Sequence, residues 1–123
     1  MRLTLEDGGI ADLEVGIRIE DDYGDLLARG DLGIRLLLIW GEYDGFVPHT
    51  ERETFRKDRP RHRWLGRRGW NVMRFVDSDI ARPAALCREW RDAIADAPAR
   101  IAALDPRLSP EVAAARKALG LDS

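Results

Sequence analysis

The chain has 123 residues, 45% of them apolar and 34% charged, with a formal net charge of −2. That length suits one domain, and the apolar share is too high for a disordered segment. The longest apolar run, Leu36 to Trp40, falls far short of the ~18 residues that a membrane span needs, and the lone Cys87 excludes an internal disulfide framework and a Cys-based zinc site.

Met1 to Asp7 carries Leu3 and Leu5 and runs into Gly8-Gly9, the pattern of a helix tail and its C-cap. Seven residues make a poor isolated helix, so a truncated N-terminal helix is expected. Leu13, Val15, Ile17 and Ile19 alternate with Glu14, Gly16, Arg18 and Glu20, a period of two that predicts a half-buried strand. Asp21 to Asp25 has turn chemistry, and Leu26 to Leu32 returns as a second strand. Gly33 breaks that run. Arg35 to Tyr43, with five consecutive apolar residues, is expected as a central strand completing an antiparallel three-stranded meander.

Thr50 and Glu53 have capping-box spacing and open a helix. Pro60 is expected to kink or restart it, with Asp58 as a possible second cap, and Gly66 and Gly69 end it. Asn71 to Val76 is a short β-rich run. A helix over about Pro83 to Ala97 places Leu86, Cys87, Trp90 and Ile94 on one face. Ser109-Pro110-Glu111 starts a last short helix. The four tryptophans and Cys87 are read as core residues. The expected organisation is a single domain over 1–123, with a core at about 13–97 and a C-terminal helical extension over 98–123. No basic-then-apolar leader opens the chain, so the default compartment is cytoplasmic, with no membrane partner.

The charge is uneven. Lys57 and Lys117 are the only lysines, and the other basic residues are arginines. Between Glu51 and Arg68 eight basic residues face three acidic ones, a net +5, which leaves −7 for the remainder. Arg52, Arg56, Arg59 and Arg63 are spaced 4, 3 and 4, with Arg67 close by, so an unbroken helix aligns them in one stripe able to track a phosphate backbone. The bland alternative is a solvated face paired with the acidic remainder. Phe55, Asp58, His62 and Leu65 lie on the opposite face.

Asp31 and the pair Glu42 and Asp44 stand at the ends of neighbouring predicted strands. Glu42 and Asp44, two apart, share a face of an extended strand. Such oxygen-only donors suit a hard cation, Mg2+ or Mn2+, which binds phosphate oxygens and activates water. Tyr43-Asp44-Gly45-Phe46 is equally a good hairpin turn, and both readings stand. His49, just beyond, is either a surface loop residue or a general acid or base.

The ordered string is Asp31, ten residues, Glu42-Tyr43-Asp44-Gly45, His49, Asp58-Arg59, Arg61, Leu65 and Gly69-Trp70-Asn71-Val72-Met73-Arg74-Phe75. It resembles the very-short-patch-repair-like endonuclease domains of the PD-(D/E)XK superfamily, and most of all a group of small proteins common in actinobacteria. The resemblance covers roughly Leu13 to Trp90. It implies an α/β, restriction-endonuclease-like mixed sheet, the meander plus a further strand, flanked by helices. It further implies that Asp31 and Glu42 are metal ligands for Mg2+ or Mn2+, that Asp44, His49 and Asp58 line the same cleft, and that the activity is metal-dependent cleavage of DNA. The same group includes domains of toxin–antitoxin and defence systems, where a catalytically degenerate nuclease fold binds nucleic acid or protein instead. This chain departs from the pattern at Gly30, where the superfamily motif has proline, and at His62, where an aspartate is usual. Pro60 interrupts a helix that is usually continuous, and the family's acidic residue on a helix before the first strand has no clear match.

Overall fold

A bent hairpin organises the first third of the chain. The computed structural model describes the backbone of residues 1–44 and 52–122 and the side chains of 1–44 and 60–122. Strand β1 (Glu14–Val15) pairs with β4 (Leu32–Ile34), and β2 (Arg18–Glu20) with β3 (Leu26–Arg29), both antiparallel. The partners Glu14↔Gly33 and Val15↔Leu32 continue as Arg18↔Arg29 and Ile19↔Ala28, so one register runs through both ladders. The chain passes from one ladder to the other at Gly16, whose φ of +64° suits a residue without Cβ. Across the bend, Gly16 N–H donates to Asp31 O and Gly30 N–H to Ile17 O, each at 2.8 Å. The predicted strands are therefore present, folded over so that their tip forms a separate two-stranded sheet.

The main sheet has the order β1-β4-β5-β6. Strand β5 (Ile39–Tyr43) runs antiparallel to β4 and parallel to β6 (Asn71–Phe75), the connection passing through helix α2 (Arg52–Arg67). The molecule is thus α/β, with a mixed four-stranded sheet and a two-stranded sheet flanked by helices. Two local expectations are corrected. Gly33 does not break a strand: it pairs with Trp40 inside β4, and a Cβ there would lie 2.5 Å from Ile17 Cδ1 and 2.6 Å from Ile39 O. Arg35–Leu37 is a 310 turn rather than strand, closed by Leu38 at φ +54°, so β5 starts only at Ile39.

Helices cover both faces of the sheet. Helix α1 (Arg2–Asp7), the four-residue α3 (Asp77–Ile80) and the first half of α4 (Pro83–Ala102) enclose Leu5, Ile39, Phe75, Leu86 and Trp90. On the other face Trp40, Leu65, Trp70, Ile101 and Val112 pack together, with α5 (Pro110–Ala118) and the β2–β3 hairpin. Ile39 and Trp40 fall in different cores because successive strand residues point to opposite faces. Helix α2 continues through Pro60, and α4 continues through Pro98 to Ala102. Trp70 N–H to Leu65 O and Gly69 N–H to Gly66 O close the end of α2, as the glycines there predict. Ser109 caps α5 as expected, accepting from Val112 N–H at 3.2 Å. Of the four tryptophans, Trp40, Trp70 and Trp90 are buried, and Trp64 is half-buried beneath the Arg68 guanidinium, 4.7 Å from its ring. Cys87 is free and buried.

The close approach at Gly33 makes a direct prediction. Gly33→Ala should lower unfolding free energy by about 1–3 kcal/mol, since the new methyl meets a backbone carbonyl that cannot swing aside. Urea denaturation reads this as an earlier midpoint at unchanged slope, and an unchanged midpoint would contradict the packing.

Candidate functional site

Strand β5 lays Trp40, Glu42 and, just past its end, Asp44 along one face. Burial decides what becomes of Glu42. At 5% exposure it is one of only two buried polar residues among the described side chains, and a carboxylate there requires partners. It has three. Arg61 Nη2 donates to Oε1 at 2.8 Å, Trp40 Nε1 to the same oxygen at 3.2 Å, and His62 Nε2 lies 2.7 Å from Oε2. Leu65, buried beneath α2, explains why that helix delivers both side chains. Arg61 and His62 stand four and three residues before it, on the face that Leu65 turns toward the sheet.

The network continues along the sheet. Arg74 on β6 binds Asp44 through Nε at 2.8 Å and Nη2 at 2.7 Å, and its Nη1 stands 3.4 Å from His62 Nδ1. A guanidinium only donates, so in this arrangement Nδ1 accepts from Arg74 and Nε2–H donates to Glu42. Parallel pairing places Arg74 beside Glu42 in the ladder, which is why the strand after α2 completes the cluster.

Asp31 arrives from the other side, at the bend before β4. Its Oδ2 accepts from Tyr43 N–H at 2.8 Å, and its own N–H donates to Gly41 O at 3.1 Å. Leu32 pairs with Gly41, so Asp31 stands across from Glu42 as the ladder ends. Two carboxylates set opposite each other repel. Burial first, and then Glu42, raise the Asp31 pKa above its ordinary value, against the lowering influence of Arg61 and Arg29. The glycine at position 30 has a local cause: a Cβ there would stand 2.6 Å from the Trp40 indole.

The structure therefore sets Asp31 within electrostatic reach of Glu42 and links Asp44 to Glu42 only indirectly, through Arg74 and His62. His49 lies outside the described residues, as do the side chains of Asp58, Arg52, Arg56 and Arg59. Arg63 and Arg67 are exposed on α2. Arg61 and His62 are the residues that sequence reasoning left out of the candidate site. The signal for them was available, since both lie one turn before an apolar residue that must face the sheet.

The donor chemistry at Asp31 and Glu42 fits a small hard cation. Mg2+ is commonly bound through one or two carboxylates, with water and phosphate oxygens completing its shell. Among the described residues no group of three His, Cys, Asp or Glu side chains is arranged to hold a metal, so the fit rests on this facing pair alone. No family model, no curated protein and no solved structure matches the chain. No described helix is long and apolar enough to cross a membrane.

The raised Asp31 pKa has a consequence for stability. A carboxyl that holds its proton more tightly when folded favours the fold below its ordinary pKa, and that contribution is lost as pH rises through the raised value. Asp31→Asn keeps an acceptor for Tyr43 N–H and removes the repelled charge. It should melt no lower than the parent at pH 7, with any advantage vanishing as pH falls below about 4. A variant clearly less stable at neutral pH would mean that the Asp31 charge supports the fold.

Proposed function

We propose that this chain is a divalent-metal-dependent DNA endonuclease domain of the very-short-patch-repair-like type, with a restriction-endonuclease-like core, acting in the cytoplasm. The observation that carries the reading is the placement of Asp31 just past the β4–β5 ladder, where it accepts from Tyr43 N–H and feels the charge of Glu42. The order of the main sheet supports it as well: an antiparallel pair is followed, through α2, by a parallel strand.

In this reading Asp31 and Glu42 hold Mg2+ or Mn2+. The ion, when bound, supplies Lewis acidity toward a phosphodiester and lowers the pKa of a bound water. The protein's own residues do the positioning. Tyr43 N–H fixes one oxygen of Asp31, and Trp40 and His62 fix the orientation of Glu42. Asp44 is held by Arg74, so it orients its surroundings as an anchored anion. His49 and Asp58 are proposed to line the same cleft, as the family resemblance implies. Arg63 and Arg67, with Arg52, Arg56 and Arg59 of the same sequence stripe, are proposed to meet DNA phosphates.

A second reading has its own observation. Both oxygens of Glu42 are already bonded to protein donors, as in a degenerate nuclease fold that binds nucleic acid or a protein partner without cutting. The two are separated by incubating supercoiled plasmid with the protein and Mg2+ or Mn2+. Cleavage that is lost in both Asp31→Asn and Glu42→Gln supports the enzyme, and full activity in those variants would sink the site assignment. Salt-dependent binding without cleavage supports the second reading.

The arginine stripe is tested separately. Arg63→Ala with Arg67→Ala should weaken duplex binding and reduce the slope of log affinity against log salt by about 2, one for each lost phosphate contact. An unchanged slope would leave these two arginines as a solvated face.

A further inference from the structure

Arg29 is a cation that the fold does not account for. It is exposed at the end of β3 and stands directly across the ladder from Arg18. Like charges set opposite each other repel. Arg18 is relieved by Glu20 at 3.2 Å, whereas the side chain of Arg29 has no hydrogen bond or ion pair among the described residues. Its guanidinium is nonetheless placed. It lies over Gly16 at the bend, where a Cβ would be 3.7 Å from Nη2 and 3.9 Å from Nε, and it acts electrostatically on Asp31. It borders a cleft of about 410 Å³ lined by Val15, Gly16, Arg29, Gly30, Asp31 and Arg61. Arg61 reaches this cleft from α2, with one nitrogen on Glu42 and a side chain 38% exposed. Two guanidiniums thus meet one carboxylate, and one oxygen of that carboxylate is spent on Tyr43 N–H. Arg61 shares its charge with Glu42, so the unmatched cation of the cleft is Arg29.

We infer that this cleft, between the hairpin bend and α2, is a phosphate site in which Arg29, with Arg61 beside it, holds a phosphodiester of a nucleic-acid strand. The planar guanidinium fork matches phosphate oxygens in pairs. The volume admits a phosphate with its neighbouring sugar, since small-ligand sites run from about 300 to 1,000 Å³. Gly16 and Gly30 line the cleft with backbone rather than side chain, which lets a strand come close. The site is separate from the exposed arginines Arg63 and Arg67. These lie two and six residues beyond Arg61 on α2, and at 3.6 residues per turn they face the other side of the helix. The inference rests on the nucleic-acid part of the reading above, which both of its versions share, and it requires no metal.

The experiment is binding of a fluorescently labelled DNA duplex to the whole chain across a series of salt concentrations. Arg29→Gln keeps a polar side chain and removes the charge. It should weaken binding about ten-fold near 0.1 M salt and lower the slope of log affinity against log salt by about 1, one phosphate contact. Arg29→Lys should restore the slope. Arg18→Gln removes the arginine directly opposite and should leave the slope unaltered. An unchanged slope in Arg29→Gln overturns the inference, and so does an equal loss in Arg18→Gln, which would mark diffuse charge. Inorganic phosphate, followed at the Arg29 Nε–H resonance, separates a strand from a free anion as the source of the phosphate. Phosphate that duplex displaces supports the strand, and phosphate that duplex leaves in place overturns it. Arg29→Gln relieves a repulsion and should melt no lower than the parent. Should it fail to fold, the parent decides: duplex should shift the Arg29 Nε–H resonance and leave Arg100 unaltered, and an unmoved Arg29 signal overturns the site. The outcomes for the two proposals separate. A reduced slope in Arg29→Gln, with a parent that does not cleave, upholds the site and sinks the nuclease. Cleavage by the parent with an unchanged slope in Arg29→Gln does the reverse.

Discussion

The buried carboxylate of Glu42 is the constraint around which the rest of the structure is arranged. Taking a carboxylate out of water is costly unless geometry and hydrogen bonds compensate, and here the compensation comes from three places. Trp40 lies two residues earlier on the same strand, while Arg61 and His62 come from the helix laid over it. The demand fixes the rotation of α2 about its axis, since only one face can carry Leu65 into the core and Arg61 and His62 onto Glu42. It also ties Trp40 into place, with its indole edge-on to Trp70 at 5.3 Å and its nitrogen on the carboxylate. Apolar packing and polar satisfaction thus specify the same orientation, which is the consistency that marks a well-determined fold.

The bend in the first hairpin supplies the other half of the site. A straight hairpin in the same register would extend away from the sheet. The turn at Gly16 folds its tip over, so that Ile17, Ile19 and Ala28 join the core around Trp40. The break falls at Gly30 and Asp31, which frees the Asp31 side chain from the ladder and lets it reach back to Tyr43 N–H. Bends and bulges often re-aim a side chain in this way. Gly30 must be bare because the Trp40 indole lies against it. The glycine before Asp31 and the tryptophan before Glu42 are therefore one packing solution.

Much of this was legible in the residues. The alternation over Leu13 to Glu20 predicts a strand, and the same register does run through it, although period alone carries no sign of a bend at Gly16. Ser109-Pro110 announces α5 because its cap is local chemistry. The run Leu36 to Trp40 misleads for a physical reason: five apolar residues in a row fit a partly exposed turn leading into a buried strand as well as one unbroken strand. There Leu37 packs against both clusters, and Leu38 adopts a left-handed conformation. At the site, the acidic residues were visible as a set because two-residue spacing on a strand is simple. Arg61 and His62 carried a usable signal in their spacing before Leu65, but Arg61 sits in an arginine-rich segment, where charge alone does not separate a residue turned inward from those turned out.

That ambiguity also explains the preference for arginine over lysine. Arg100 sends its fork to the carbonyls of Gly69, Leu37 and Leu38. Arg116 closes the end of α4 through the carbonyls of Ile101, Ala102 and Leu104. Arg68 holds Glu111 with two nitrogens while covering Trp64. Each task needs a planar group with several directed donors, which an ammonium does not offer. The +5 segment is therefore not all free charge: Arg61 and Arg68 are committed to carboxylates inside the protein, while Arg63 and Arg67 face solvent. One residue type thus connects the exposed arginines proposed to meet phosphate with the pair of acids proposed to act on it.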